Sequence, residues 1–134
     1  MTDQQLLRTA RIGLRIALGA TFLSAVASRL GFWGSLGGNW ERFLPRVAQL
    51  NWFLPASLIP VVAIVATALE ISFGVLLIAG WRLKWVGLGS AALLMWFAVA
   101  MVFGDNVKSP LDYSVFVDSF AALLLAATAR HEPV

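Results

Sequence analysis

The sequence contains no cysteine and only one histidine, His131. Without cysteine the chain cannot form a disulfide framework, a CxxC redox pair, a thiol nucleophile or a Cys/His zinc site. A single histidine also excludes bis-histidine haem ligation within one chain. We therefore predict no catalytic residue, no metal site and no covalent cofactor. Any redox chemistry would have to pass through a bound small molecule or a partner protein.

Charge is also scarce. The 134 residues include ten basic and seven acidic ones, 60% are hydrophobic, and the mean hydropathy is +0.82. A soluble domain is closer to half apolar and a quarter charged. The net charge of +3 is scattered over short loops, which is typical of residues that orient membrane helices and does not indicate nucleic-acid binding. The glycine-rich residues 31–38 match neither GxGxxG nor the P-loop pattern.

Long apolar segments make up most of what remains. Residues 85–104 carry no charge over a length that spans a hydrocarbon core of about 30 Å. Together the segments predict an all-α membrane protein, a four-transmembrane-helix bundle that forms a single domain over residues 1–134. The predicted helices are residues 12–31, 55–80, 84–104 and 112–129.

The N-terminal segment also has features of a signal peptide, because Arg8 and Arg11 precede an apolar run and residues 25–27 read Ala-Val-Ala. Arg15 interrupts that run, so we predict a retained helix. The basic residues favour cytoplasmic N- and C-termini, since more of them flank the ends on that side. On that side are Arg8, Arg11, Arg82, Lys84 and Arg130; on the other are Arg42, Arg46 and Lys108, with Arg29 near the boundary.

The connection between the first two spans has a helical pattern of its own. From Asn39 to Leu50, apolar residues recur at helical spacing while Arg42, Arg46 and Gln49 fall on the opposite face. We predict an amphipathic helix that lies in the membrane interface, capped by Asn39 and flanked by aromatic anchors. An aromatic belt without regular structure is the alternative. This segment is also the predicted face for a protein partner.

Apart from Lys84 and Asp112, the first residues of their spans, four charged residues lie inside the predicted spans: Arg15, Arg29, Glu70 and Asp118. Such groups are costly at membrane depth, so they normally face the protein interior and pair with one another. Counted at 1.5 Å per residue, Glu70 and Asp118 lie about 4 Å from the centres of their segments. The same count places Arg15 and Arg29 about 10 Å from the centre of the first segment, on opposite sides. These depths predict the pairs Arg15–Glu70 and Arg29–Asp118.

Three interpretations of the four residues remain open at this stage. They form structural ion pairs, they form a site for a ligand or a proton, or the carboxyls are neutral and have no partners. Both arginines could also extend to the headgroups, which the short acidic side chains cannot do. After the third span, one interpretation is that Asp112 or Ser109 caps the fourth helix, with Tyr113 at the membrane interface. The other is that Lys108, Asp112 and Tyr113 form the polar mouth of a site near Arg29.

Three stretches of sequence resemble the DoxX family of small four-helix membrane proteins. They are Arg15-Ile16-Ala17-Leu18-Gly19, the segment around Glu70 that ends at Gly74, and Pro110-Leu111-Asp112-Tyr113-Ser114. The resemblance implies a four-helix bundle in a bacterial cytoplasmic membrane. Members of that family are associated with thiosulfate:quinone oxidoreduction, methylamine utilisation and oxidative-stress complexes. It transfers no catalytic motif to this chain.

These observations support three hypotheses about function. The first is a membrane component of a redox system that holds a quinone between its helices, because a quinone needs an apolar cleft with a few placed polar groups. The second is an assembly or scaffold protein without chemistry of its own. The third, a small transporter, is weakened because no inverted repeat is visible between the two halves. The sequence leaves the oligomeric state open.

Overall fold

The computed structural model describes residues 1–129, and within this range the chain is helical and has no strand. Residues 130–134, which include Arg130 and His131, lie outside the described residues. The helices are α1 (Asp3–Arg29), α2 (Trp40–Leu50), α3 (Ile59–Ala79), α4 (Leu83–Gly104), α5 (Lys108–Asp112) and α6 (Val115–Ala127). Single 3₁₀ turns, Gly34–Leu36 and Ala56–Leu58, precede α2 and α3.

Helix α1 begins nine residues earlier than the hydropathy pattern predicts. Its start is defined by a capping box, in which the Thr2 hydroxyl accepts from the Gln5 amide while the Gln5 side chain accepts from the Thr2 amide. Such a cap satisfies backbone donors that have no partner within the helix. The extension makes Arg11 a buried residue of a 27-residue helix.

Within residues 1–129, three helices are long and apolar enough to cross a membrane: α1, α4, and α3 together with the turn before it. This confirms a multi-pass helical membrane protein. The predicted fourth helix over residues 112–129 is observed as the shorter, 13-residue α6, which follows a separate short helix, α5. Ser114 lies between them with φ +59°, a left-handed conformation that ends a helix. Neither Ser109 nor Asp112 caps α6. A bundle of four transmembrane helices therefore stays a prediction.

The helices pack as two close antiparallel pairs. A Cβ atom on Gly19 of α1 would lie 2.8 Å from the carbonyl oxygen of Gly74 on α3, so the two backbones touch there. A Cβ on Gly87 of α4 would lie 3.0 Å from the carbonyl oxygen of Ala122 on α6. Small residues permit such approaches, which drive helix association in lipid. Helix α3 also contacts α4, and α6 contacts α1.

Helix α2 forms where the sequence predicts it, and the Asn39 side chain accepts from the Arg42 amide at its start. Its apolar face packs on the beginning of α3, where Val47, Ile59 and Ala63 are buried together. At its other end, Leu50 contacts Gly104, the last residue of α4. The predicted helix and cap are confirmed, while its position in the membrane interface stays a prediction.

Candidate functional site

A buried ion pair joins α1 to α3. The guanidinium of Arg29 pairs with Glu70, whose side chain is 3% exposed, and Arg29 also donates to the Thr67 hydroxyl at 3.2 Å. The ring of Phe43 on α2 lies 4.1 Å from the Arg29 guanidinium carbon, within the range of a cation–π contact. We call these four residues the Arg29 cluster. It connects α1, α2 and α3 through one cation.

The pairing in the structure differs from the predicted pairs. Because Gly19 of α1 lies opposite Gly74 of α3, Glu70 of α3 lies at the height of Leu23 on α1. Measured along the helix axis from that height, Arg29 is about 9 Å away in one direction and Arg15 about 12 Å away in the other. Helical side chains also lean toward the helix N-terminus. In an antiparallel pair this lean brings Arg29 and Glu70 together and directs Arg15 away. Spacing along single helices does not contain this information.

Arg15 instead binds the C-terminal end of α3. Its Nε donates to the Leu77 carbonyl at 3.0 Å, and another of its nitrogens donates to the Ile78 carbonyl at 3.2 Å. Arg11 makes the equivalent contact with α6, donating to the Leu125 carbonyl at 2.9 Å and to the Thr128 hydroxyl. Cations are stabilising at helix C-termini, where carbonyls have no helical partner. These two arginines therefore join α1 to both returning helices.

The predicted partner of Arg29, Asp118, lies on α6 and is half-buried. Among residues 1–129 it forms no ion pair. The four intramembrane ionisable residues are thus not one site. The structure brings Arg29 and Glu70 together and places Arg15 and Asp118 elsewhere.

The predicted mouth residues lie on the outer surface of α5. Lys108 and Asp112 form an exposed ion pair one turn apart, and Tyr113 is 72% exposed. Exposed pairs of this kind contribute little to stability. Arg29 is engaged at α3 and does not join them. The structure therefore shows no polar mouth around Arg29.

A second ion pair, which the sequence pattern does not predict, joins α2 to the loop after α4. Arg46 forms two hydrogen bonds with the Asp105 carboxylate, and Gln49 donates to the same carboxylate at 2.7 Å. We call these three residues the α2 clamp. Arg46 and Gln49 were recognised only as the polar face of α2, and their partner is more than fifty positions away. Part of the polar face is therefore occupied within the chain, while Glu41 and Arg42 stay exposed.

The stability that the α2 clamp contributes should depend on pH only in acidic solution. The hydrogen bond from Arg46 lowers the pKa of Asp105 from its ordinary 3.8, and the same contact raises the pKa of Arg46. A carboxyl whose folded pKa is depressed stabilises the fold above the unfolded value, and this contribution is lost as pH falls through the folded pKa. Both groups thus stay charged at neutral pH, and loosening is expected only below about pH 4.

We predict that Arg46→Gln and Asp105→Asn each make amide exchange in α2 several-fold faster at neutral pH, because each removes the charged contact. Hydrogen-exchange mass spectrometry of peptides from α2 measures this. Arg42→Gln is the matched control, since Arg42 is an exposed arginine of the same helix. If the amides of α2 exchanged at the same rate in all three variants, the α2 clamp would not be what stabilises this helix.

An open groove lies beside the C-terminal end of α1. Its volume is about 360 Å³, and its lining residues are Ser24, Ala25, Ser28, Trp33 and Leu36. The loop after α1 folds back here, because the Trp33 indole donates to Ser24 and the Gly38 amide donates to the Ser28 hydroxyl. Gly31 and Gly34, with positive φ, make this reversal possible. The groove combines an aromatic ring with two hydroxyls one helical turn apart.

Chemistry based on metal ligands has little support in the described part of the chain. No group of three or more histidine, cysteine, aspartate or glutamate side chains is close enough to hold a metal ion within residues 1–129. The buried polar groups described above mostly join helices to one another.

Comparison with known proteins corrects the predicted family. No curated protein and no solved structure matches the chain. Residues 6–112 match the model of a different membrane family, described as methylamine utilisation protein MauE. The DoxX resemblance is therefore wrong. The residues that suggested it include Gly19, Gly74 and Glu70, which serve helix contact and charge pairing, and such needs are common to small helical membrane proteins. Because the match extends from α1 through α5, this chain belongs to the MauE family.

Proposed function

We propose that this protein is the membrane component of a redox system of the methylamine-utilisation type. The observation that supports the proposal most is the family match over residues 6–112, together with three helices suited to cross a membrane. We place it in the bacterial cytoplasmic membrane with both termini in the cytoplasm, as the distribution of basic residues favours. The chain has no cysteine, so thiol relay is not part of its role.

Deletion of the gene in its native host tests this role directly. We expect growth on methylamine to be lost and growth on ammonium and a sugar to be unchanged, because only the first requires the redox system. Re-expression of the wild-type chain should restore growth. Methylamine-dependent growth at the wild-type rate after deletion would contradict the proposal.

Within this role, we propose that the protein holds a quinone in the groove beside α1. The groove has a volume in the range of small-molecule sites, which is roughly 300–1,000 Å³. The Ser24 and Ser28 hydroxyls each accept a hydrogen bond in the structure and can each donate one to a quinone carbonyl. Trp33 supplies an aromatic face. The groove beside α1 takes the place of the predicted site between the helices, because the Glu70 carboxylate there is already paired with Arg29.

Filling the groove should abolish quinone binding. Ala25→Leu adds three carbons to a lining residue, whereas Ala17→Leu adds them at an exposed position of the same helix and serves as the control. Native mass spectrometry of gently extracted protein, with added ubiquinone, reports binding. We expect retention in the wild type and in Ala17→Leu and loss in Ala25→Leu. Equal retention in both variants, or none in the wild type, would refute this site.

The structure weakens the scaffold alternative in the form that the sequence suggests. A partner was expected on residues 39–50, but the apolar face of α2 packs on α3 and its polar face holds Asp105. What remains open to a partner on that helix is its polar surface, where Glu41 and Arg42 are exposed.

A further inference from the structure

The two halves of the chain have the same order of elements. In each half a long helix is followed by a short helix and then by a helix that packs back on the first, α1–α2–α3 and α4–α5–α6. Both halves begin on the same side, because α1 and α3 are antiparallel and α4 follows α3 after a short turn. This is a parallel repeat, distinct from the inverted repeat sought in the sequence.

The contacts within the halves correspond residue by residue. Gly19 touches the Gly74 carbonyl and the side chain four positions later, Ile78. Gly87 touches the Ala122 carbonyl and the side chain four positions later, Ala126.

The correspondence makes Asp118 the counterpart of Glu70. Each acid lies four residues before the small residue at the close contact, Gly74 in one half and Ala122 in the other. The cation is not repeated, however. Arg29 lies ten residues after Gly19, and ten residues after Gly87 the chain has Phe97. The second half thus has the acid of the pair without its arginine.

Asp118 also lies at membrane depth. Its neighbour Ser119 donates to the Ala91 carbonyl at 2.8 Å, which sets this part of α6 level with Ala91. Ala91 is about 4 Å from the middle of α4, an uninterrupted candidate span. The side chain of Asp118 is half-buried, so part of it is open to the surface of the molecule.

We propose that Asp118 is the docking position for a basic side chain carried by a transmembrane segment of a partner protein. A carboxylate at this depth is costly unless it is paired, and Arg29 shows how the other half pairs its acid. A second copy of the chain is a poorer occupant, because Arg11, Arg15 and Arg29 already make contacts inside the fold. The proposal does not rest on the redox role or on the quinone groove.

The test uses designed peptides in liposomes. One is a leucine- and alanine-rich transmembrane peptide with a single central lysine, and the other has leucine at that position. Energy transfer between labelled peptide and labelled protein measures association. We expect the lysine peptide to associate about tenfold more strongly, the size of one polar contact between membrane helices. Asp118→Asn should remove this preference, whereas Asp112→Asn, a control on the neighbouring helix, should keep it.

A charge exchange guards against a variant that fails to fold. Asp118→Lys should prefer a peptide with a central glutamate over the lysine peptide, the reverse of the wild type. Equal association of the lysine and leucine peptides with the wild type would overturn the proposal and indicate a neutral carboxyl facing lipid. A lysine preference that persists in Asp118→Asn would overturn it too.

Discussion

Replacing Glu70 by glutamine should lower the free energy of unfolding by about 3 kcal/mol, the cost typical of breaking a buried ion pair from one side. The change leaves the Arg29 guanidinium, itself only 14% exposed, without its carboxylate. Thr67 and Phe43 remain as partners but carry no opposite charge. Thermal unfolding in detergent, followed by circular dichroism, measures the effect.

Two double variants identify the partner of Glu70. Adding Arg29→Gln to Glu70→Gln should recover much of the loss, since two neutral amides can hydrogen-bond and no charge is left buried. Adding Arg15→Gln should instead produce an additive loss, because Arg15 binds the C-terminal carbonyls of α3. Rescue by Arg15→Gln and not by Arg29→Gln would contradict the pairing in the structure.

The same variants distinguish a structural pair from a ligand or proton site at Glu70. If Glu70 served a ligand, Glu70→Gln would leave the unfolding temperature nearly unchanged and remove binding or activity. We expect instead that Glu70→Gln lowers the unfolding temperature. The Arg29 cluster joins three helices, so its loss should appear first in stability.

The second large effect is expected at the contact between α1 and α3. Gly19→Ala should destabilise the fold by about 2 kcal/mol, the usual cost of overpacking. The new methyl carbon would lie 2.5 Å from an Ile78 side-chain carbon and 2.8 Å from the Gly74 carbonyl oxygen. The isoleucine can move, but the backbone oxygen cannot do so unless the helices separate.

Gly13→Ala is the matched control for this substitution. Gly13 is in the same helix and has no atom within 4 Å of the position that a Cβ would take. Alanine is a better helix former than glycine by up to about 1 kcal/mol, so this variant should be neutral or slightly more stable. Unfolding temperatures that shift equally in the two variants would show that close helix contact is not what position 19 requires.

Much of the local structure could be predicted from the sequence, because it depends on neighbours along the chain. Composition and hydropathy identify membrane helices, and the third span was placed within one residue of α4. The cap at Asn39 could be predicted because its side chain accepts a hydrogen bond from the backbone amide of Arg42, only three positions later. The start of α1 was missed because a capping box, and not hydropathy, determines it. The break at Ser114 was missed because serine seldom adopts a left-handed conformation.

The sequence by itself determined that this is a helical membrane protein and that Arg29, Glu70 and Asp118 lie within long apolar segments. The tertiary structure decided which charge meets which. The glycine contacts set the register of each antiparallel pair, and the lean of helical side chains then brought Arg29 to Glu70 and Arg15 to the end of α3. Ion pairing depends on positions in space to within a few ångströms, whereas sequence spacing reports only positions along one helix.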